Sequence, residues 1–196
     1  MFQVRVHGRG GQGVVTTADL LSIAAFAEGR HAQAFPSFGS ERTGAPVAAF
    51  CRLDERPIRV REPVLAPDAL IIQDATLLRQ LDLFAGLEPD GYLIVNSAHD
   101  FAELGLGEFV AQFQPGRRFT VPATDLAMTH LHRPMPGTAL LGGFAAMTGQ
   151  IGLSSVVEAI RGRFSGAVAA GNVAAATAAY TLVNAEIEGL AHAQAG

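Results

Sequence analysis

Between Gly8 and Gly13 the chain reads Gly8-Arg9-Gly10-Gly11-Gln12-Gly13, which places glycines at the spacing Gly-x-Gly-x-x-Gly. Glycines so spaced let a backbone turn tightly and approach an anion. If a helix follows, its first N–H groups and its dipole favour phosphate. The turn is not a Walker A loop, because Gly13 precedes Val14-Val15 and not Lys-Ser or Lys-Thr. A nicotinamide or flavin site normally adds an Asp or Glu at the end of the next strand, to hold the ribose hydroxyls. Here that strand, His31-Ala32-Gln33-Ala34-Phe35, ends without an acid, and Glu41 lies inside the following loop. On the motif alone, the other reading is that the glycines serve only tight strand–helix packing.

Other chemistry is sparse. The single cysteine, Cys51, can neither close an internal disulfide nor hold an iron–sulfur cluster, which needs four ligands. It sits in the apolar run Ala48-Ala49-Phe50-Cys51 and reads as an inert core thiol. The six histidines show no ligand spacing; His130 and His132, two apart, face different sides of a helix. There is no Gly-Asp-Gly thiamine motif with its downstream Asn, no paired-cysteine metal site and no nucleophile elbow. The chain is therefore expected to hold no metal, cluster or thiamine itself. A net charge of -4 with scattered basic residues excludes nucleic acid as the main partner. The clusters at 56–61 and 161–163 read as solvated arginines.

The elements that must position these residues follow from periodicity. Phe2 to His7 alternates and predicts a strand; Val14 to Glu28 carries apolar residues at helical spacing and ends at Gly29. Strands are predicted at His31–Phe35, Val47–Leu53, Ala69–Gln73, Tyr92–Asn96 and Arg118–Val121. Ile58–Val60 is expected to pair back as a hairpin, and Thr76–Phe84 to form a short helix. Beyond Pro122, helices are expected at Asp125–Leu131, Thr138–Met147, Ser154–Arg161 and Asn172–Glu188. Gly142-Gly143 and the alanines from Ala174 to Ala179 suggest close helix packing, the alanine face being buried within the chain. With 49% hydrophobic and 16% charged residues, 196 residues suffice for one domain with a large core. The expected fold is a three-layer α/β domain: a mostly parallel sheet flanked by helices, a Rossmann-like glycine turn and a helical C-terminal third from about residue 123. The N-terminus resembles no signal peptide and no uninterrupted apolar run reaches about 18 residues, so a cytoplasmic protein without a membrane span is expected.

Three motifs in order carry a resemblance: Gly8 to Thr16, Ala32-Gln33-Ala34-Phe35-Pro36-Ser37-Phe38-Gly39, and Glu41-Arg42-Thr43-Gly44-Ala45-Pro46-Val47. Together they closely resemble the gamma subunit of pyruvate and ketoisovalerate ferredoxin oxidoreductases, and the third domain of single-chain members. Softer matches continue at Pro57-Ile58-Arg59, Ile94-Val95-Asn96-Ser97, Thr138 to Gly142 and Asn172 to Tyr180. The resemblance implies a subunit of a complex that decarboxylates a 2-oxoacid on thiamine diphosphate, passes electrons through iron–sulfur clusters and acylates coenzyme A. Thiamine diphosphate, Mg and [4Fe-4S] clusters then belong to alpha- and beta-type and ferredoxin-like partners. The acceptor is ferredoxin or is NAD-linked. The implied role of this chain is assembly and coenzyme A binding at an interface, through Gly8, Arg9, Gly10, Gly11, Gln12, Gly13, Ser40 and Arg42. The loop Phe35–Pro46 is expected to face a catalytic subunit. One departure is Met135-Pro136-Gly137, where many members carry Asn before the Thr matched by Thr138. The 2-oxoacid stays open among pyruvate, branched-chain, aryl-glyoxylate (phenylglyoxylate) and indolepyruvate types. A purely structural adaptor and an independent dinucleotide-binding oxidoreductase are the alternatives.

Overall fold

The computed structural model describes residues 1–37 and 43–195. Six strands form one sheet in the order β2-β3-β1-β4-β5-β6, with β1 Phe2–Arg9, β2 His31–Pro36, β3 Pro46–Asp54, β4 Ala69–Ile72, β5 Tyr92–Asn96 and β6 Arg118–Val121. β1, β4, β5 and β6 run parallel, whereas β3 is antiparallel to both β1 and β2. The parallel strands β4 and β5 are continuous apolar runs, Ala69-Leu70-Ile71-Ile72 and Leu93-Ile94-Val95, fully buried because both sheet faces are covered.

Helices α1 (Val14–Ala27), α4 (Gly137–Thr148), α5 (Leu153–Arg163) and α6 (Gly166–Ala195) build the core on one face, with α3 (Ala123–Leu131) beside them. α4 is apolar nearly all round and almost wholly buried, as a central helix must be. Its two adjacent glycines do different work. A Cβ on Gly142 would collide with the Ala176 carbonyl of α6, and one on Gly143 would sit 2.8 Å from Ile94 Cδ1 of the sheet. Ala175, Ala176 and Ala179 are buried, so the alanine face of α6 is indeed internal. By length and composition α6 could cross a bilayer, but this packed face belongs to a protein core.

The opposite face has its own cluster: Leu70, Ile72, Leu93 and Val95 against Leu77, Leu83, Phe101, Val110 and Phe113. This third layer consists of turns, a 3-10 turn at Ala75–Arg79 and the four-residue helix α2 (Gly107–Val110), in place of long helices. The helix expected at Thr76–Phe84 is only that 3-10 turn.

The hairpin expected at Ile58–Val60 does not form. β3 is already paired on both edges, by β1 and β2, and leaves no ladder for a further strand. The segment is instead pinned by buried Arg52, which donates to the Val60 carbonyl at 3.5 Å and to the Glu62 carbonyl. Buried Arg5 does the same further along, reaching the Leu83 and Ala85 carbonyls at 2.8 and 2.7 Å. Two guanidiniums thus stand where helices would otherwise cover the sheet.

Candidate functional site

The parallel strands end on one edge of the sheet, and the chain leaves β1 toward β2 but β4 toward β5. The edge between β1 and β4 is therefore the topological switch point, where open α/β sheets form their crevice. The glycine turn occupies it. Gly11 (φ 94°) and Gly13 (φ 74°) adopt left-handed backbone that strains other residues. At Gly8 the constraint is space: a Cβ there would lie 2.7 Å from Val14 Cγ2.

The loop that follows β2 returns to this turn. Gly10 donates to the Ala45 carbonyl at 2.9 Å and Gly44 donates to the Gly10 carbonyl at 3.0 Å, with a parallel bridge from Gly10 to Thr43. Gly8–Gly13 and the Thr43–Pro46 end of the later motif are thus one constellation. Ser40 and Arg42, with Phe38, Gly39 and Glu41, lie outside the described residues.

Arg9 and Gln12 hold the turn. The Gln12 carbonyl oxygen accepts from the Arg9 backbone N–H at 2.8 Å, and the Gln12 amide donates to Asp74 Oδ2 at 2.8 Å. Arg9 Nε donates to the same oxygen at 3.2 Å, and its other nitrogens reach Gly44 O (3.1 Å), Thr76 Oγ1 (2.7 Å) and Gln80 Oε1 (3.2 Å). Four of the five guanidinium donors are therefore committed to protein acceptors. Asp74 also accepts from the Thr76 backbone N–H (2.9 Å) and hydroxyl (2.5 Å). Burial alone would raise the Asp74 carboxyl. The hydrogen bonds from Thr76 and Gln12 and the charge of Arg9 outweigh it, so the group stays below the usual carboxylate range.

Other backbone donors remain free. Among the described residues, the N–H groups of Gly11, Gly13, Val14, Val15 and Thr16 meet no acceptor. Helix α1 has no side-chain cap and no acidic residue in its first turn. These amides form the floor of a cleft of about 320 Å³ lined by Arg9, Gly10, Gly11, Gly13, Val14, Val15, Thr16, Val47 and Met135. A floor of unpaired N–H groups at the positive end of a helix suits a phosphate or another anion.

Behind the turn, buried Gln73 donates to the Thr17 hydroxyl at 2.5 Å, and Thr17 donates to the Gly13 carbonyl at 3.1 Å. A Cβ on Gly137 would collide with that Thr17 hydroxyl, which accounts for glycine before Thr138 in this chain. Thr138 in turn donates to Asn172 at 2.9 Å, joining two of the softer motif matches. Cys51 is fully buried at the centre of β3, and burial pushes its thiol up, the opposite of activation. Among the described residues no three His, Cys, Asp or Glu side chains converge.

The acid sought after β2 has a structural answer. β2 is an outer antiparallel strand, and the strand beside β1 on that side is β3, which begins at the cleft with Pro46. No strand ends there to present a ribose-binding carboxylate. The acid at this edge, Asp74 after β4, binds Arg9 and Gln12 instead.

The fold and this turn define an α/β domain that presents free backbone N–H groups at a strand-to-helix junction. The profile of the pyruvate ferredoxin/flavodoxin oxidoreductase family matches residues 3–182, and the chain belongs to that family. It is 48% identical over 161 residues to the pyruvate synthase subunit PorC of Methanosarcina barkeri, covering 82% of this chain and 85% of that one. It is 45% identical over 180 residues to the pyruvate/ketoisovalerate oxidoreductases common subunit gamma of Thermococcus kodakarensis, covering 92% and 96%. The crystal structure of the pyruvate oxidoreductase subunit PORC of Thermotoga maritima superposes with a TM-score of 0.76 at 35% identity, over 92% of this chain and 95% of that one.

Proposed function

We propose that this chain is the gamma subunit of a 2-oxoacid:acceptor oxidoreductase complex, and that its glycine turn binds a phosphate of coenzyme A at an interface with the catalytic subunits. Family membership over nearly the whole chain supports the first part. The observation that carries the second is the set of five N–H groups from Gly11 to Thr16, unpaired among the described residues, at the open edge of the sheet. Coenzyme A brings a diphosphate and a 3′-phosphate, and a floor of amides at a helix N-terminus is suited to either.

Gly10, Gly11 and Gly13 give the backbone its shape, Gly8 gives it room, and Arg9 and Gln12 fix it against Asp74. Among the described residues Arg9 keeps one N–H without an acceptor, available to a phosphate. Ser40 and Arg42 precede Thr43, which is bridged to the turn, and we assign them to the same ligand. Thiamine diphosphate with Mg and the [4Fe-4S] clusters are assigned to alpha-, beta- and ferredoxin-like partners. Ferredoxin or an NAD-linked carrier takes the electrons, and the complex works in the cytoplasm. This chain performs no bond-breaking step; it positions the acyl acceptor.

The test is reconstitution. Partner subunits assembled without this chain are assayed for 2-oxoacid oxidation with and without coenzyme A, and the chain is then added back. The proposal expects coenzyme A-dependent turnover to return only with the chain. Full turnover at unchanged coenzyme A KM in its absence refutes a binding role. A chain needed for assembly, yet silent on that KM when its turn is altered, is an adaptor only.

A further inference from the structure

The amide floor of the cleft is flanked by aliphatic side chains. Val15 projects from the first turn of α1, Val47 from the start of β3, and Met135 from the segment before α4. All three are partly exposed, Met135 to 37%. Met135 stands between Pro134 and Pro136, which fix φ on both sides and hold the side chain over the turn. Its methyl carbon lies 3.2 Å from where a Cβ on Gly13 would be, so it rests directly on the αL residue that opens α1. It also borders the narrow slot behind the turn, with Thr17, Gly137 and Phe164, and so closes the cleft on that side.

An apolar wall around a phosphate floor selects among the parts of the ligand. Adenine is flat and packs best on an aromatic ring or a guanidinium face. Among the described residues the cleft has no aromatic lining residue, and the guanidinium of Arg9 is tied into the Asp74 network. The pantoyl group of coenzyme A carries two methyls on a carbon joined to the diphosphate through a single methylene. It therefore brings aliphatic bulk to within a few ångströms of any phosphate on the floor. Resting on the assignment of coenzyme A to this turn, we propose that Met135, Val15 and Val47 form the seat of the pantoyl dimethyl group, so that the pantetheine half lies over this cleft and the adenosine half points away from it. Met135 is then a specificity residue for the acyl acceptor. Its thioether is soft and adaptable enough to close over the ligand once the phosphate is seated.

The test uses the assembled complex and two competitors of coenzyme A: S-methyl-4′-phosphopantetheine, which has the dimethyl group and no free thiol, and adenosine 3′,5′-bisphosphate. Met135→Ala is expected to raise the Ki of the pantetheine competitor about fivefold, as for removal of a buried methylene or more. It leaves the Ki of the adenosine competitor within twofold, and Met135→Leu restores the pantetheine value. A pantetheine Ki unmoved by Met135→Ala, but raised by Gly11→Ala, overturns the seat and leaves the turn assignment standing. An effect on the adenosine competitor alone reverses the orientation and also overturns the proposal. If Gly11→Ala changes neither competitor nor the coenzyme A KM, or if the pantetheine competitor does not compete in the wild type, the turn assignment fails and the seat fails with it.

Discussion

Arg9 Nε and Gln12 Nε2 converge on one oxygen of Asp74, at 3.2 and 2.8 Å, so a carboxylate 65 residues away in sequence fixes the shape of the glycine turn. Asp74→Asn keeps the size but leaves one acceptor oxygen where two served, so either the Arg9–Gln12 pair or the two Thr76 donors meet an amide NH2 that cannot accept. We expect a loss of about 1–2 kcal/mol, because both partners are largely buried. The thermal midpoint should fall by several degrees and the coenzyme A KM of the complex should rise, with the 2-oxoacid KM unmoved. An unchanged midpoint and unchanged coenzyme A kinetics would show that the turn keeps its shape without Asp74.

The two glycines of α4 should differ. Gly142→Ala sets a methyl against the Ala176 backbone, which cannot yield without moving α6, and should cost about 2–3 kcal/mol. Gly143→Ala meets the tip of Ile94, which can change rotamer, and should cost less. Denaturant unfolding of both variants checks the order; equal losses would mean that α6 is not held as described.

Stability should also depend on pH through His7. Its folded pKa is lowered from 6.5 to about 4, first by burial and then by the charge of Arg5, and its Nε2 is buried without a partner. The folded state resists protonation, so between pH 6.5 and 4 the unfolded chain binds more protons. The contribution is complete above pH 6.5 and is lost as pH falls toward 4, by about 2–3 kcal/mol. Asp74, whose folded pKa is depressed, adds a separate loss only below the ordinary carboxylate range. Unfolding free energies at pH 7.5 and 4.5 should converge in His7→Gln relative to the wild type. The same slope in both would remove His7 from the account.

Cys51→Ala should leave turnover of the complex intact and lower stability by about 1 kcal/mol, since the thiol only fills space at the centre of β3. Lost activity at an unchanged midpoint would reveal a chemical role.

Much of this was legible in the sequence because it is local. The glycine spacing between an alternating strand and a helix with apolar residues at helical spacing announces the turn, and the apolar runs of β4 and β5 announce strands covered on both faces. What was not legible depends on contacts distant in the chain. The run Ile58–Val60 has strand composition, but pairing needs a free edge, and β3 has none. Arg5 and Arg52 look like ordinary alternating polar residues; only the fold shows them buried and holding the third layer. Arg9 reads as a free ligand for phosphate until Asp74 is brought beside it. The signal available for Asp74 was the run Asp74-Ala75-Thr76 after an apolar strand, an Asx cap of the 3-10 turn. Met135 stood out only as part of Met135-Pro136-Gly137, the departure from the family pattern before Thr138, and nothing in that run placed it over the glycine turn.

The central claim is that the turn binds the phosphate of coenzyme A through its backbone. Gly11→Ala tests it most directly: at φ 94° a Cβ strains the turn, yet among the described residues the nearest side-chain atom, Thr43 Cγ2, is 3.9 Å away, an ordinary contact. Steady-state kinetics of the assembled complex should show the coenzyme A KM raised about tenfold, a loss of about 1.4 kcal/mol, with the 2-oxoacid KM unchanged and assembly normal. A complex that assembles normally and shows the wild-type coenzyme A KM would contradict the account and leave the turn as a packing device.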